Sequence, residues 1–282
     1  MQCSHPVINV FLPEHLRSVL KGTSITAAIE WLYSIKARVF FDSRSFIHQA
    51  MTSQARFFIL GQAFSFTKEF YALSSDQSPQ RKLRCDTTVT KLKTSSFVWD
   101  LRVVDDVTGQ PLIHEQSPYV LVDLSTRRPV AVSEELRQRH KTLNIDQTLS
   151  TERLPWSREE FEHTSQGMAD ANFGRQFKRE IRDNDIDHNG HVNFRVYIRA
   201  ALQYVESLLT KINLKSARFE KLRILYQNEA VVGDVLNFHL LMSRDRQKFL
   251  VRMTNPKSFF AAIILENPTD TVSRHHEITS SL

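Results

Sequence analysis

Residues 182 to 194 read Arg-Asp-Asn-Asp-Ile-Asp-His-Asn-Gly-His-Val-Asn-Phe. Acids, amides and imidazoles crowd into this span, directly ahead of a run with helical spacing: Phe194, Tyr197, Ile198, Ala201, Tyr204, Val205 and Leu208. That position has chemical value. The first N–H groups of a helix lack internal partners and carry partial positive charge, so they can stabilise a developing oxyanion. A carboxylate beside them can act as base or nucleophile. Gly190 lets the chain turn tightly into the helix.

Three other readings use the same residues. A helix cap with solvated charges explains the Asp and Asn residues but gives no reason for His188 and His191. A calcium loop would use Asp185, Asp187, Asn189 and Gly190 at its first, third, fifth and sixth positions, with Val192 at the apolar eighth. It fails at its last position, where Val196 replaces the bidentate Glu, and the preceding 173–181 segment reads as a strand. A zinc site from Asp187, His188 and His191 lacks a recognisable spacing.

The elements that would position this span alternate with period 2, as half-buried strands do. In the first half these are Leu83, Cys85, Thr87 and Val89, then Phe97, Trp99, Leu101 and Val103. A turn over 105–110 follows, then a nearly continuous apolar strand from Pro118 to Leu124. The stretch from Phe57 to Phe70 reads as one long strand or two broken ones. In the second half Leu222, Ile224 and Tyr226 alternate, as do Leu236 to Met242, Phe249 to Met253 and Phe259 to Leu265. Each half also has a helix ahead of its strands. In the first half it carries Ile25, Ile29, Leu32 and Tyr33, with Ser24 as N-cap. The order is short strand, helix, then about four antiparallel strands, stated twice, which predicts an α+β fold of two diverged copies. Glu134 to Arg153 reads as a polar linker, and residues from Pro268 onward as a polar tail.

The chain has 282 residues, consistent with two domains at roughly 100–200 residues each. Hydrophobic residues make up 41 % and charged residues 24 %, enough apolar surface to offset the entropy of ordering. Two cysteines, Cys3 and Cys85, exclude a disulfide scaffold and a Cys-rich zinc site; Cys85 reads as a buried small residue. Seven glycines argue against a Gly-rich phosphate loop. Trp31, Trp99 and Trp156 read as packing residues. A net charge of +6 favours anionic partners. No nucleic-acid motif accompanies it. No apolar run reaches ~18 residues and no secretory signal is evident, so a cytoplasmic location is expected, an organelle remaining open.

The string from Asp185 to Asn193 resembles the D-x-D-x-N-x-H-V-N signature of acyl-ACP thioesterases and related hotdog-fold thioesterases, and Tyr197-Ile198 fits the aromatic–aliphatic pair that follows it. Thr108-Gly109, Tyr119 to Leu124, Thr126-Arg127-Arg128-Pro129 and Glu134-Glu135-Leu136 resemble the end of that family's first repeat. Tyr226-Gln227-Asn228-Glu229-Ala230 and Gly233-Asp234 resemble its segment with an acidic residue. The resemblance spans about residues 57 to 266.

It implies two tandem hotdog domains, each a long helix wrapped by an antiparallel sheet, forming a pseudo-dimer. The boundaries expected are 1–140, a linker over 141–166, and 167–282 carrying the catalytic motif. Asp187, Asn189 and His191 take the family's catalytic positions, and Glu229 that of a catalytic acid. Gly190, Val192, Asn193, Phe194 and Tyr197 would line the substrate site. Plant members carry a cysteine after the acid; Ala230 stands here, so a cysteine nucleophile is excluded at this site. Phe194 replaces a usual Asn. The first repeat has Lys21-Gly22-Thr23-Ser24 ahead of its helix, without Asp or His, so only the second site looks competent.

The activity implied is hydrolysis of acyl-ACP or acyl-CoA to fatty acid and thiol, with no metal or cofactor. The partner is the acyl carrier protein or coenzyme A thioester, and the chain is a monomeric pseudo-dimer or a homodimer. Asp187 would orient or activate, Asn189 position, His191 polarise or transfer a proton, and Glu229 activate water; spacing does not decide which carboxylate is the base. Arg127 and Arg128 are candidate contacts for the anionic carrier. The alternative, prompted by Ala230 and Phe194, is a non-catalytic acyl-binding hotdog protein.

Overall fold

The computed structural model describes residues 7–11, 25–42, 45–73, 82–141, 158–171, 177–187, 192–211, 218–256 and 259–267. The chain divides into two compact units, residues 1–156 and 157–282. Ser24, Trp156, Cys3, the 21–24 segment and the tail from Pro268 lie outside the described residues.

The first unit contains β1 (Val7–Phe11), α1 (Thr26–Phe41), α2 (Phe46–Ala50), β2 (Ala55–Ile59), β3 (Gly61–Phe66), α3 (Lys68–Ala72), β4 (Lys82–Thr90), β5 (Ser96–Asp105), β6 (Pro111–Asp123) and α4 (Glu134–Lys141). Its strands pair in the order β1-β4-β5-β6-β3, all antiparallel, and β2 pairs with the other end of β6. The break between β2 and β3 falls at Leu60, whose N–H donates to the Pro118 carbonyl at 2.9 Å. Pro118 has no N–H to return, so the ladder is interrupted there. The strand expected to reach Phe70 stops at Phe66: Thr67 caps α3, its Oγ1 accepting the Phe70 N–H at 3.2 Å. Gly109, at φ +71°, closes the turn into β6, where Asp105 Oδ1 accepts the Val107 and Thr108 N–H groups, each at 2.9 Å.

β6 begins at Pro111, seven residues before the apolar pattern that announced it. Its early residues include Glu115, Gln116 and Ser117, which are polar and yet buried. Their partners come from elsewhere. Glu115 Oε1 takes the ammonium of Lys36 on α1, the Gln62 amide on β3 at 2.8 Å and the Ser117 hydroxyl at 2.6 Å. On the opposite face, Asp100 accepts from Gln116 at 2.9 Å and pairs with His114 at 2.8 Å. The apolar core on the α1 side gathers Val39, Phe46, Phe57, Val89, Phe97, Trp99, Tyr119 and Leu121. Each fully buried side chain of this size contributes about 1.5–3 kcal/mol. The polar stretch from Glu134, expected as linker, opens as α4, whose Leu136 and His140 are buried.

The second unit contains α5 (Arg158–Ser165), β7 (Ala169–Asp170), β8 (Phe177–Glu180), α6 (Phe194–Lys211), β9 (Lys221–Tyr226), β10 (Val235–Met242), β11 (Lys248–Thr254) and β12 (Phe259–Glu266). Its antiparallel order is β9-β12-β11-β10-β7, with β8 also on β10. The helix α6 packs on β11 and β12 through one face of the sheet. On the other face Phe161 of α5 joins Leu225, Leu250, Ala262 and Ile264. Both faces of β12 are thus buried, which explains its unbroken apolar run. No helix among the described residues is long and apolar enough to cross a membrane.

Candidate active site

The corner in question forms where β8 leads through a short 3-10 turn (Asp183–Asp185) into α6. Asp185 organises it. Its side chain is buried, with Oδ1 receiving the Arg179 guanidinium at 2.6 Å and Oδ2 the Arg182 N–H at 3.1 Å. Its carbonyl accepts the Asn193 N–H at 2.8 Å. One residue therefore ties the strand, the turn and the helix start together, with charge-assisted bonds of the stronger kind. An antiparallel bridge between Ile186 and Val192 then pinches the chain just ahead of the helix. Asn193 caps the helix: its Oδ1 accepts the Arg195 N–H at 3.1 Å.

The sequence candidates fall as follows. Asp187 is half-buried and directly follows the bridge residue Ile186. Asn189, Gly190 and His191, with His188, lie outside the described residues. Val192 is buried and forms the bridge; Asn193 serves as the cap. Phe194 opens the helix, its ring edge-on to Tyr226 at 6.2 Å. Tyr197, in the first turn, is buried, 5.9 Å from the Tyr226 ring. Glu229 is exposed, in the irregular segment between β9 and β10 rather than on a strand. That segment is fastened to the helix: the Ala230 N–H donates to the Tyr197 hydroxyl at 3.1 Å. It is also fastened to the end of β8, because Gly233, at φ +90°, donates its N–H to the carbonyl of Ile181, the residue that follows that strand, at 2.9 Å.

Burial pushes the Tyr197 phenol above its ordinary range; the Ala230 N–H opposes this and the nearby Asp234 charge adds to it. The Cys85 thiol is pushed up to about 12 by burial and by Asp86, which removes it as a nucleophile. In the sequence Asp185 stands as part of the acidic string, as the first Asp of the family signature and as the first ligand of the calcium alternative, with no anchoring role. Both of its oxygens are engaged by Arg179 and Arg182, so it is an anchor. Nothing in the spacing pairs Arg179 with it, because the partnership depends on the turn between them. In the sequence Tyr226 stands as a strand residue and as the first of the Tyr226–Ala230 segment, with no site role; its ring packs against both Phe194 and Tyr197.

Residues 169–281 match a family model described as the acyl-ACP thioesterase C-terminal domain. The C-terminal unit matches the acyl-ACP thioesterase family. Solved structures extend the likeness to both units. An acyl-ACP thioesterase from Bacteroides thetaiotaomicron is 16 % identical, covering 93 % of this chain and 97 % of its own, with a TM-score of 0.63. The 12:0-ACP thioesterase from Umbellularia californica is 15 % identical, covering 92 % and 96 %, also at 0.63. At these identities they establish the fold: α+β, two hotdog domains in tandem. No curated protein matches the chain.

Proposed function

We propose that this chain is an acyl thioesterase, hydrolysing fatty acyl thioesters of acyl carrier protein, or of coenzyme A, to free fatty acid and thiol. One observation carries the reading. The Ala230–Tyr197 hydrogen bond holds the Glu229 segment against the first turn of α6, and the Ile186–Val192 bridge brings the segment ending in Asp187 to the start of the same helix. Two carboxylate-bearing segments thereby meet at one helix N-terminus, where a thioester carbonyl can be polarised. The family match over the C-terminal unit supports the same chemistry.

In this reading Glu229 takes a proton from water as the water oxygen bonds to the thioester carbon. The C=O electrons move onto oxygen, and the helix N–H groups near Gly190 and His191 stabilise that charge. Collapse of the tetrahedral species breaks the C–S bond, and the proton held by Glu229 reaches the departing sulfur by way of His191. Asp187 and Asn189 hold the imidazole and the substrate in place. The proposal keeps an N-terminal domain over 1–140, a connecting stretch over 141–166 and a catalytic domain over 167–282, with α5 joining the catalytic side. It acts on a diffusible carrier in the cytoplasm or an organelle.

The test is thiol release from a panel of acyl-ACP and acyl-CoA substrates. His191→Ala should lower turnover by about 10²–10⁴-fold, the usual worth of a positioned acid–base group. Acyl binding without thiol release by the unaltered protein would overturn the assignment.

A further inference from the structure

The Tyr197 hydroxyl has a second capacity that the reaction above leaves unused. Its oxygen accepts the Ala230 N–H at 3.1 Å, and the residue is only 4 % exposed. The phenol proton itself has no acceptor among the described residues. A buried donor left without an acceptor is costly, and native structures hold few of them.

The origin of this donor is fixed. Tyr197 lies in the first turn of α6, its ring flanked by Tyr226 at 5.9 Å and its oxygen tied to the backbone of the Glu229 segment. Burial keeps the phenol protonated, so it remains a donor at neutral pH. Accepting a peptide N–H also polarises the hydroxyl, which strengthens what it donates onward. The chain of donation runs from Ala230 N–H to Tyr197 O–H to an acceptor supplied by a ligand.

We infer that Tyr197 is a catalytic residue whose O–H donates to the thioester carbonyl oxygen and to the oxyanion that oxygen becomes. The proton stays on the phenol throughout; no bond to Tyr197 forms or breaks. The inference rests on the thioesterase reading and adds a side-chain donor to the backbone donors of the helix.

Two measurements on the full chain test it. Tyr197→Phe should lower kcat by about 10²–10³-fold, the cost of losing one oxyanion donor, with KM within about threefold. Binding of two unreactive acyl-carrier analogues then separates donation from shape. One replaces sulfur by CH₂ and keeps the carbonyl; the other is a thioether without it. Tyr197→Phe should weaken the ketone about tenfold and leave the thioether within twofold, about 1.4 kcal/mol of selective loss. A kcat within threefold of the unaltered protein, or equal weakening of both analogues, overturns the inference. If the unaltered protein releases no thiol from any substrate, the thioesterase reading fails by itself. The analogue pair still decides Tyr197, since equal binding of ketone and thioether would rule the donor out. Should Tyr197→Phe not fold, 3-fluorotyrosine at the same position supplies a stronger donor. The ketone-over-thioether preference should then grow, and an unchanged preference overturns the inference.

Discussion

The two long helices answer the same architectural demand with different interiors. On α1 the buried face carries Lys36, whose ammonium sits 5.4 Å from the Trp99 ring centre and 5.7 Å from that of Tyr119 while pairing with Glu115. On α6 the buried face is apolar from Tyr197 to Leu209 except for the phenol groups of Tyr197 and Tyr204, and the acidic string lies ahead of its N-terminus. The starts differ as well. Ile25 precedes α1 with no side-chain cap, whereas Asn193 caps α6. A hotdog helix can thus spend polarity in its middle, where it locks the helix to the sheet, or at its tip, where it faces a ligand. The unit with the polar middle has Lys21-Gly22-Thr23-Ser24 directly ahead of its helix, without Asp or His.

The largest effect should come from breaking the polar middle. Lys36→Met leaves the Glu115 carboxylate charged in a dry interior, a loss of about 3–5 kcal/mol, read as a lower denaturant midpoint. Adding Glu115→Gln removes the stranded charge and keeps acceptors for Gln62 and Ser117, so most of the loss should return. If the double variant is no better than the single one, the pair is not the source of the contrast. The Glu115 contact holds Lys36 above its ordinary value against the opposing pull of burial. The stability it brings is therefore full at neutral pH and disappears only as pH rises past the usual lysine range.

A second difference should appear in acid. His140 docks α4 on the first unit through its ring nitrogen, 2.8 Å from the Val89 carbonyl, beside the Phe46 ring. Burial lowers its pKa. The unfolded chain then takes up a proton that the folded one resists, so stability should fall as pH drops below the ordinary imidazole value of about 6.5. His140→Phe should flatten that slope in melting curves between pH 7 and 5. An unchanged slope would assign the acid sensitivity elsewhere.

The smallest effect concerns the caps. Asn193→Ala should cost about 1 kcal/mol of stability, whereas Asn193→Ser, which keeps an oxygen to accept the Arg195 N–H, should recover most of it. Equal losses in unfolding titrations would erase the distinction at the helix starts.

These contrasts also show what could be read from sequence. The second unit was legible because its strands alternate cleanly and α6 carries a regular apolar stripe with its functional string in front. The first unit was legible only where its core is apolar. The early half of β6 was missed because Glu115, Gln116 and Ser117 look solvated, and their burial depends on Lys36, Gln62 and Asp100, far away in the chain. Helix α4 was hidden for a related reason, since only Leu136 and His140 of its eight residues face inward. At the corner, Asp187 and Glu229 were found from residue type and resemblance. The anchor role of Asp185 required the turn that brings Arg179 back to it.

Helix α5 has a practical meaning for anyone trimming this protein. The matched domain starts at residue 169, yet Phe161 lies ahead of it and covers Leu225, Leu250, Ala262 and Ile264. A fragment begun at the domain's formal edge would bare a greasy sheet surface to solvent, inviting self-association; one begun before Arg158 would keep its own lid.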